Sequence, residues 1–262
     1  MSPDGTVAWE RHEAVGVALI DRPNRRNALN VALCDEVREW LAENHDLRAV
    51  VIGGAGDRAF CAGADLAQRA GDAGSLKNGR DDAFRPAFEA LLDAVVEFPA
   101  PVIAAVNGAA LGAGMQLAVA CDLRVVARTA TFGIPAARLG IVISATNVQR
   151  LVDAVGQPTA RDVLLTGRSL SFEEAAHVGL VQREAEDAVG SARALAEEIA
   201  ALAPLSVVGH KAALNAVASR KGLLDADRRL LAEIERNAFE SADLREGLAA
   251  FAEKRTPRFS GR

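Results

Sequence analysis

PVIAAVNGAALGAGMQLAVAC, from Pro101 to Cys121, reads as a buried strand, a turn of small residues and the start of a helix. Val102, Ile103 and Val106 suit a strand covered on both faces, and Asn107-Gly108 marks its end. The small residues from Ala109 to Gly114 let another group approach the backbone closely. The helix that follows begins with amides that lack intrahelical partners, so they are available to an anion or a polarised oxygen. Asn107, the glycines and Gln116 interrupt the apolar run, which argues for a buried unit and against a membrane span.

A second turn of the same kind lies upstream in Ala59-Phe60-Cys61-Ala62-Gly63-Ala64-Asp65-Leu66, after a strand and a glycine-rich bend. The two turns offer two donor sites that can converge on one ligand. Further strands are read at Val15 to Ile20, Ala49 to Ile52, Pro101 to Val106 and Asp122 to Val126, with helices at Leu33 to Glu43 and Ala83 to Glu97. Alternating strands and helices give an α/β core with mainly parallel pairing. Beyond about residue 145 strand signals thin out, and amphipathic helices are read at Asn147 to Val155, Ser191 to Leu202, Pro204 to Ser219 and Gly222 to Glu240. Ala67 to Asp82 lacks an apolar period and is either a surface insertion or a lid over the ligand.

With 262 residues and a formal net charge of −5, the chain has a sizeable core and no overall pull toward nucleic acid or an anionic membrane. Screening acts over about 8 Å at physiological salt, so a local basic cluster can still hold a polyanion. Arg22, Arg25 and Arg26 form one candidate. Cys34, Cys61 and Cys121 are odd in number and lack metal-ligand or CxxC spacing, and no signal-like run opens the sequence. A cytoplasmic protein with no metal site is expected. Val51-Ile52-Gly53-Gly54-Ala55-Gly56 weakly suggests a nicotinamide-dependent dehydrogenase, but it lacks the GxGxxG spacing of a dinucleotide fold, which argues against that alternative.

FCAGADL, RPNRRNALN, the Pro101 to Cys121 run and the terminal FAEKR together resemble, in order and over nearly the whole length, the crotonase or enoyl-CoA hydratase/isomerase superfamily. The resemblance implies a spiral of strand–strand–helix repeats over residues 1–200 and a helical trimerisation region over 201–262, assembled as a trimer or a dimer of trimers. It places the two oxyanion amides on Ala64 and Ala113, puts Arg25 and Arg26 near the phosphates of coenzyme A, and sets Ala28, Ala62 and Leu66 along the adenine and pantetheine path. Phe251 and Lys254 match positions that reach the coenzyme, the Lys from an adjacent subunit. Coenzyme A enters as part of the ligand, with no prosthetic group.

The sequence departs from the family where proton transfer is done. The two glutamates of active hydratases correspond to Gln116 and Ala136. An amide cannot exchange a proton at neutral pH, and a methyl group cannot either. General acid–base catalysis is worth about 10²–10⁴-fold, so ordinary hydration is expected to be lost. Leu139 to Gln149 also replaces the usual glycine-rich segment, with Ser144, Thr146 and Asn147 as polar residues suited to capping or to contact with an acyl group. Asp65 is read as a support of the first turn, and Cys61, with no His or second Cys near it in sequence, as a small buried packing residue and not a nucleophile. The run GAGMQLAVACDLRVVA is similar to mycobacterial paralogues that lack the catalytic glutamates. The reading is an acyl-CoA binder, of fatty acyl thioesters in lipid metabolism; a lyase or isomerase with relocated catalytic groups is the alternative.

Overall fold

Period-two burial builds the central layer. In the computed structural model, which describes residues 5–66, 83–219, 229, 236–237 and 239–258, the larger sheet runs β1 (Thr6–His12), β2 (Val15–Asp21), β3 (Ala49–Gly54), β5 (Val102–Val106), β7 (Leu123–Val126) and β10 (Arg183–Glu184). Only β1 and β2 pair antiparallel; the rest are parallel. Every residue of β3 and β5 is buried, Val50, Ile52, Val102 and Ala104 facing the main core and Val51, Ile103 and Ala105 the opposite layer. Such strands carry apolar residues on both faces, which is why they are legible as continuous runs.

A smaller sheet takes one short strand from each of three repeats, β4 (Ala59–Cys61), β6 (Ala109–Leu111) and β8 (Phe132–Gly133), and is completed by β9 (Ser169–Leu170). The chain thus passes from β3 to β4 to helix α2 (Phe84–Glu97), then from β5 to β6 to α3 (Ala113–Ala120), and then from β7 to β8 toward α4 (Ala145–Thr166). This is the expected strand–strand–helix repeat. Its second strand has only two or three residues, too short to show a period in sequence. Helix α1 (Val31–Glu43) starts where the Asn30 side chain accepts a hydrogen bond from Leu33 N at 2.9 Å. It packs against α2, whose buried Phe84, Phe88, Leu91, Leu92 and Val95 follow helical spacing.

Two helices differ in extent from the sequence reading. The helix expected over Asn147 to Val155 starts two residues earlier, at Ala145 after the Ser144 cap, and breaks where expected, at the non-helical Gly156 (φ 75°); a second helical segment containing Pro158 follows it to Thr166, and the two together are α4. The one expected over Ser191 to Leu202 is α6 (Ala188–Ala200), begun earlier by the Asp187 cap, and it covers the far face of the larger sheet; α5 (Phe172–His177) precedes it. Helix α7 (Pro204–Ser219) has the expected bounds. Its buried Lys211 donates to Ala100 O at 3.0 Å and pairs with Asp122 at 2.8 Å, while Leu205 and Leu214 remain exposed. The expected helix from Gly222 to Glu240 lies mostly outside the described residues, only 229, 236–237 and 239–240 being described, and the segment Ala67 to Asp82 lies wholly outside them. Helix α8 (Ala242–Ala252), unread in the sequence, is capped by Ser241 and packs on the 3-10 turn Pro135–Leu139. Among the described residues no helix is long and apolar enough to cross a membrane.

Arg124 anchors the end of α3. Its guanidinium is buried and donates to the carbonyls of Ala118, Cys121 and Leu180. A cation placed on the last carbonyls of a helix is favoured by the helix dipole, so the helix that starts at the second turn is fixed at its far end as well.

Candidate functional site

The two small-residue turns meet. Gly63 and Gly112 both have positive φ, 112° and 56°, and a Cβ on Gly63 would lie 3.1 Å from Leu111 O and 3.8 Å from Ala113 N. Each left-handed residue immediately precedes a proposed donor, so Ala64 and Ala113 themselves avoid the region that Cβ disfavours. An alanine at 113 is therefore compatible with the turn. On either side of Ala64, Leu29 N donates to Gly63 O and Asp65 N to Leu29 O, both at 2.8 Å. Among the described residues neither Ala64 N nor Ala113 N has an acceptor, and Ala113 opens α3.

RPNRRNALN forms the adjoining wall. Pro23–Arg25 make a 3-10 turn, and Arg26 and Asn27 are both left-handed at φ 52° and 57°. Asn27 is buried; its Nδ2 donates to Ala59 O at 2.7 Å and its Oδ1 accepts from Arg22 N at 3.0 Å. Arg26 O accepts from Ala62 N at 3.0 Å, which joins this motif to the first turn. The basic cluster read from the sequence is divided by the fold. Arg25 and Arg26 line the cavity and are exposed, whereas Arg22 is buried and pairs with Asp65 at 2.6 Å. Arg22 is thus a structural cation, and Asp65 supports the turn as expected.

Ala28, Ala62, Ala64 and Leu66 line the same cavity of about 560 Å³ as Ala113, Gln116, Ala136, Ser144 and Phe251. Gln116 turns back on the oxyanion turn, its Nε2 donating to Gly112 O at 3.2 Å. Ala136 contributes a half-buried methyl from the 3-10 turn, and Ile141, Val142 and Ile143 extend an apolar wall from it. Ser144 caps α4 by accepting from Asn147 N at 3.3 Å. Thr146 and Asn147 do not line the cavity: Thr146 is exposed and Asn147 is buried behind the wall. Phe251 reaches the cavity from α8 of its own chain, while Lys254 is exposed and outside the lining.

Several lining residues escaped the sequence reading, among them the charged Arg85, Glu89 and Arg138. Glu89, half-buried on α2, has a carboxylate that accepts from Asn147 Nδ2 at 3.1 Å. It stands 47 positions before Ala136 in a helix whose apolar pattern alone drew attention, so only the fold brings it to the site.

The cysteines are held for packing. Burial pushes the Cys61 and Cys121 thiols up to about 12, and burial raises Cys34 as well. All three should resist a thiol-exchange reagent in the folded protein at mildly alkaline pH, and three should titrate after denaturation. A thiol that reacts rapidly in the native state would overturn that packing role.

Comparison with known proteins gives a consistent picture. The family model described as enoyl-CoA hydratase/isomerase matches residues 10–262. YngF of Bacillus subtilis is 36% identical, covering 98% of this chain and 99% of its own. For echA6 of Mycobacterium tuberculosis the identity is 38%, over 95% of this chain and 97% of that protein. The structure of carnitinyl-CoA hydratase from Mycobacterium avium superposes with a TM-score of 0.82 at 34% identity, covering 100% of both chains.

Proposed function

The chain belongs to the enoyl-CoA hydratase/isomerase family, and from that premise we propose that it binds an acyl-CoA thioester and polarises its carbonyl between the amides of Ala64 and Ala113. The observation that carries this reading is the pair of touching turns, each ending in an amide without an acceptor among the described residues and both on one cavity. Two preorganised N–H donors stabilise a negative carbonyl oxygen, each worth roughly 3 kcal/mol. The exposed guanidinium groups of Arg25 and Arg26 suit the phosphates of the coenzyme, and the apolar wall from Ile141 to Ile143 suits a fatty acyl chain.

Water addition across an enoyl double bond has no acid at either family position. Gln116 can hold a ligand or water, and Ala136 can only pack. The protein is read as a carrier or sensor of fatty acyl thioesters in lipid metabolism, in the cytoplasm where its three thiols stay reduced. Residues 201–262 are assigned to oligomerisation into a trimer or paired trimers; the exposed Leu202, Leu205 and Leu214 support this, and a partner's Lys254 would then reach the coenzyme, since the chain's own Lys254 lies outside the cavity lining.

Calorimetry with a panel of saturated and enoyl-CoAs, with mass analysis of the same samples, tests the proposal. Saturable binding without hydrated product is expected, and efficient hydration would overturn the loss of hydratase chemistry. Arg26→Asn preserves a residue tolerant of the left-handed backbone while removing the charge. It should weaken binding about tenfold, since a hydrogen bond to a charged group is worth about 1.5–3 kcal/mol. Equal affinity for the variant would remove Arg26 from the phosphate site.

A further inference from the structure

We propose that Glu89 is a proton-transfer group of this site: its carboxylate takes a proton from the carbon next to the thioester carbonyl of a bound acyl-CoA. The inference rests on the acyl-CoA reading and deepens it. Chemistry of this kind adds no water to the ligand, so it is compatible with a protein that has lost hydration.

The cavity has two carboxylates among its described lining residues, Asp65 and Glu89. Asp65 is committed to the Arg22 guanidinium at 2.6 Å. Glu89 is held by a neutral amide instead, the Nδ2 of Asn147, itself only 3% exposed. The other end of Asn147 is fixed in turn, because its Oδ1 accepts from Arg150 Nη1 at 3.0 Å. Arg150 Nη2 pairs with Asp93 at 2.7 Å, and Asp93 lies one helical turn beyond Glu89 on α2.

That network separates two jobs. The Arg150–Asp93 pair already ties α4 to α2, so Glu89 is not needed as a cross-link. A glutamine at 89 would accept the same hydrogen bond from Asn147. What glutamine would lack is the capacity to take a proton. A neutral donor also survives protonation of the carboxyl, whereas a guanidinium partner would lose its salt bridge. Position agrees with chemistry: α2 packs against α3, the helix opened by the Ala113 donor, and the apolar wall before α4 faces the same space.

The step balances without a co-reactant. A C–H bond at the α-carbon breaks, its proton goes to a Glu89 carboxylate oxygen, and its electron pair moves into the thioester as an enolate. The negative oxygen rests on Ala64 N–H and Ala113 N–H. Exchange of the Glu89 proton with solvent and return to carbon regenerates the thioester. Where the ligand carries an adjacent double bond, return at a different carbon would move that bond.

The test uses the full-length protein with butyryl-CoA and decanoyl-CoA in heavy water, following deuterium at the α- and β-carbons by NMR and affinity by calorimetry. Wild type should exchange α-hydrogens, leave β-hydrogens untouched and saturate with thioester. Glu89→Gln should keep the affinity and slow exchange by at least about 100-fold, the lower range for a general base. Glu89→Asp should retain part of the rate, which a purely packing role would not predict. Tight binding with no exchange, or equal exchange in the Gln variant, overturns the assignment and leaves the binding proposal intact. Absence of binding removes the premise, and this inference falls with it.

Discussion

Asp65→Ala is expected to lower the free energy of unfolding by about 3–5 kcal/mol, the usual cost of removing one member of a buried ion pair. Asp65 and Arg22 are each 7% exposed, and their contact of 2.6 Å lies beneath the first turn. In the variant the guanidinium keeps its 3.3 Å contact with Ala28 O but loses the carboxylate that balances its charge. The loss is local to the site as well. Asp65 N bonds Leu29 O next to the Ala64 donor, so a displaced turn also weakens thioester binding. Urea unfolding measures the first effect and calorimetry the second. The double variant Arg22→Met/Asp65→Leu should recover much of the stability, because a buried pair replaced by apolar groups of similar volume is often neutral. A loss below about 1 kcal/mol in Asp65→Ala would mean that the pair is solvated and that the turn is held by backbone bonds alone.

How far the sequence led depended on what kind of physics each element uses. The doubly buried strands β3 and β5 are legible because both faces are apolar, and helix α2 because its apolar residues recur on one face at helical spacing. Strands β8 and β9, two residues each, owe their existence to neighbours brought together by the fold. The strand β1 was missed because it lies at the sheet edge with most side chains exposed, so its composition resembles a loop. Gly53-Gly54, which superficially suggests a nucleotide turn, serves packing: a Cβ on Gly54 would meet Ala59 O at 2.5 Å.

The site was legible wherever the backbone carries the chemistry. Both turns could be found from small residues between a strand and a helix, and the structure adds that Gly63 and Gly112 take the left-handed positions. Charge was harder to place. Arg22, Arg25 and Arg26 look equivalent along the chain, yet only the first turns inward, because Asp65 meets it from 43 residues away. Glu89 gave no local signal at all. Its partner Asn147 is 58 residues later, and a hydrogen bond across that separation has no sequence signature in a single chain.

Gly114→Ala should cost more function than its size implies. Helix α3 crosses β4 with backbone almost against backbone: a Cβ on Gly114 would run into the Cys61 carbonyl oxygen and lie 2.8 Å from Cys61 C and 2.9 Å from Cys61 Cβ. None of these atoms is the end of a flexible side chain, so the helix or the strand must move. Overpacking of this kind costs about 1–3 kcal/mol, which a 262-residue fold can survive. The geometry of the donors is less forgiving. Cys61 precedes Ala64 by three residues and Gly114 follows Ala113 directly, so separating the two segments parts the very amides that must meet one oxygen. Loss of one such donor typically lowers a rate about 10²–10³-fold. With a thioester labelled at the carbonyl with carbon-13, wild type should shift the bound carbonyl resonance toward that of a polarised carbonyl, and Gly114→Ala should abolish most of the shift. Gly112→Ala strains the turn in a different way: the nearest atom to a new Cβ is Gly63 Cα at 3.7 Å, but φ 56° with ψ −114° lies outside the left-handed well open to an L-residue, a cost of about 1–3 kcal/mol next to the Ala113 donor. If Gly114→Ala leaves the carbonyl shift intact, contact between the segments does not set the donor geometry; if it abolishes the shift in a protein that stays folded, the close crossing of α3 over β4 is what holds the oxyanion site together.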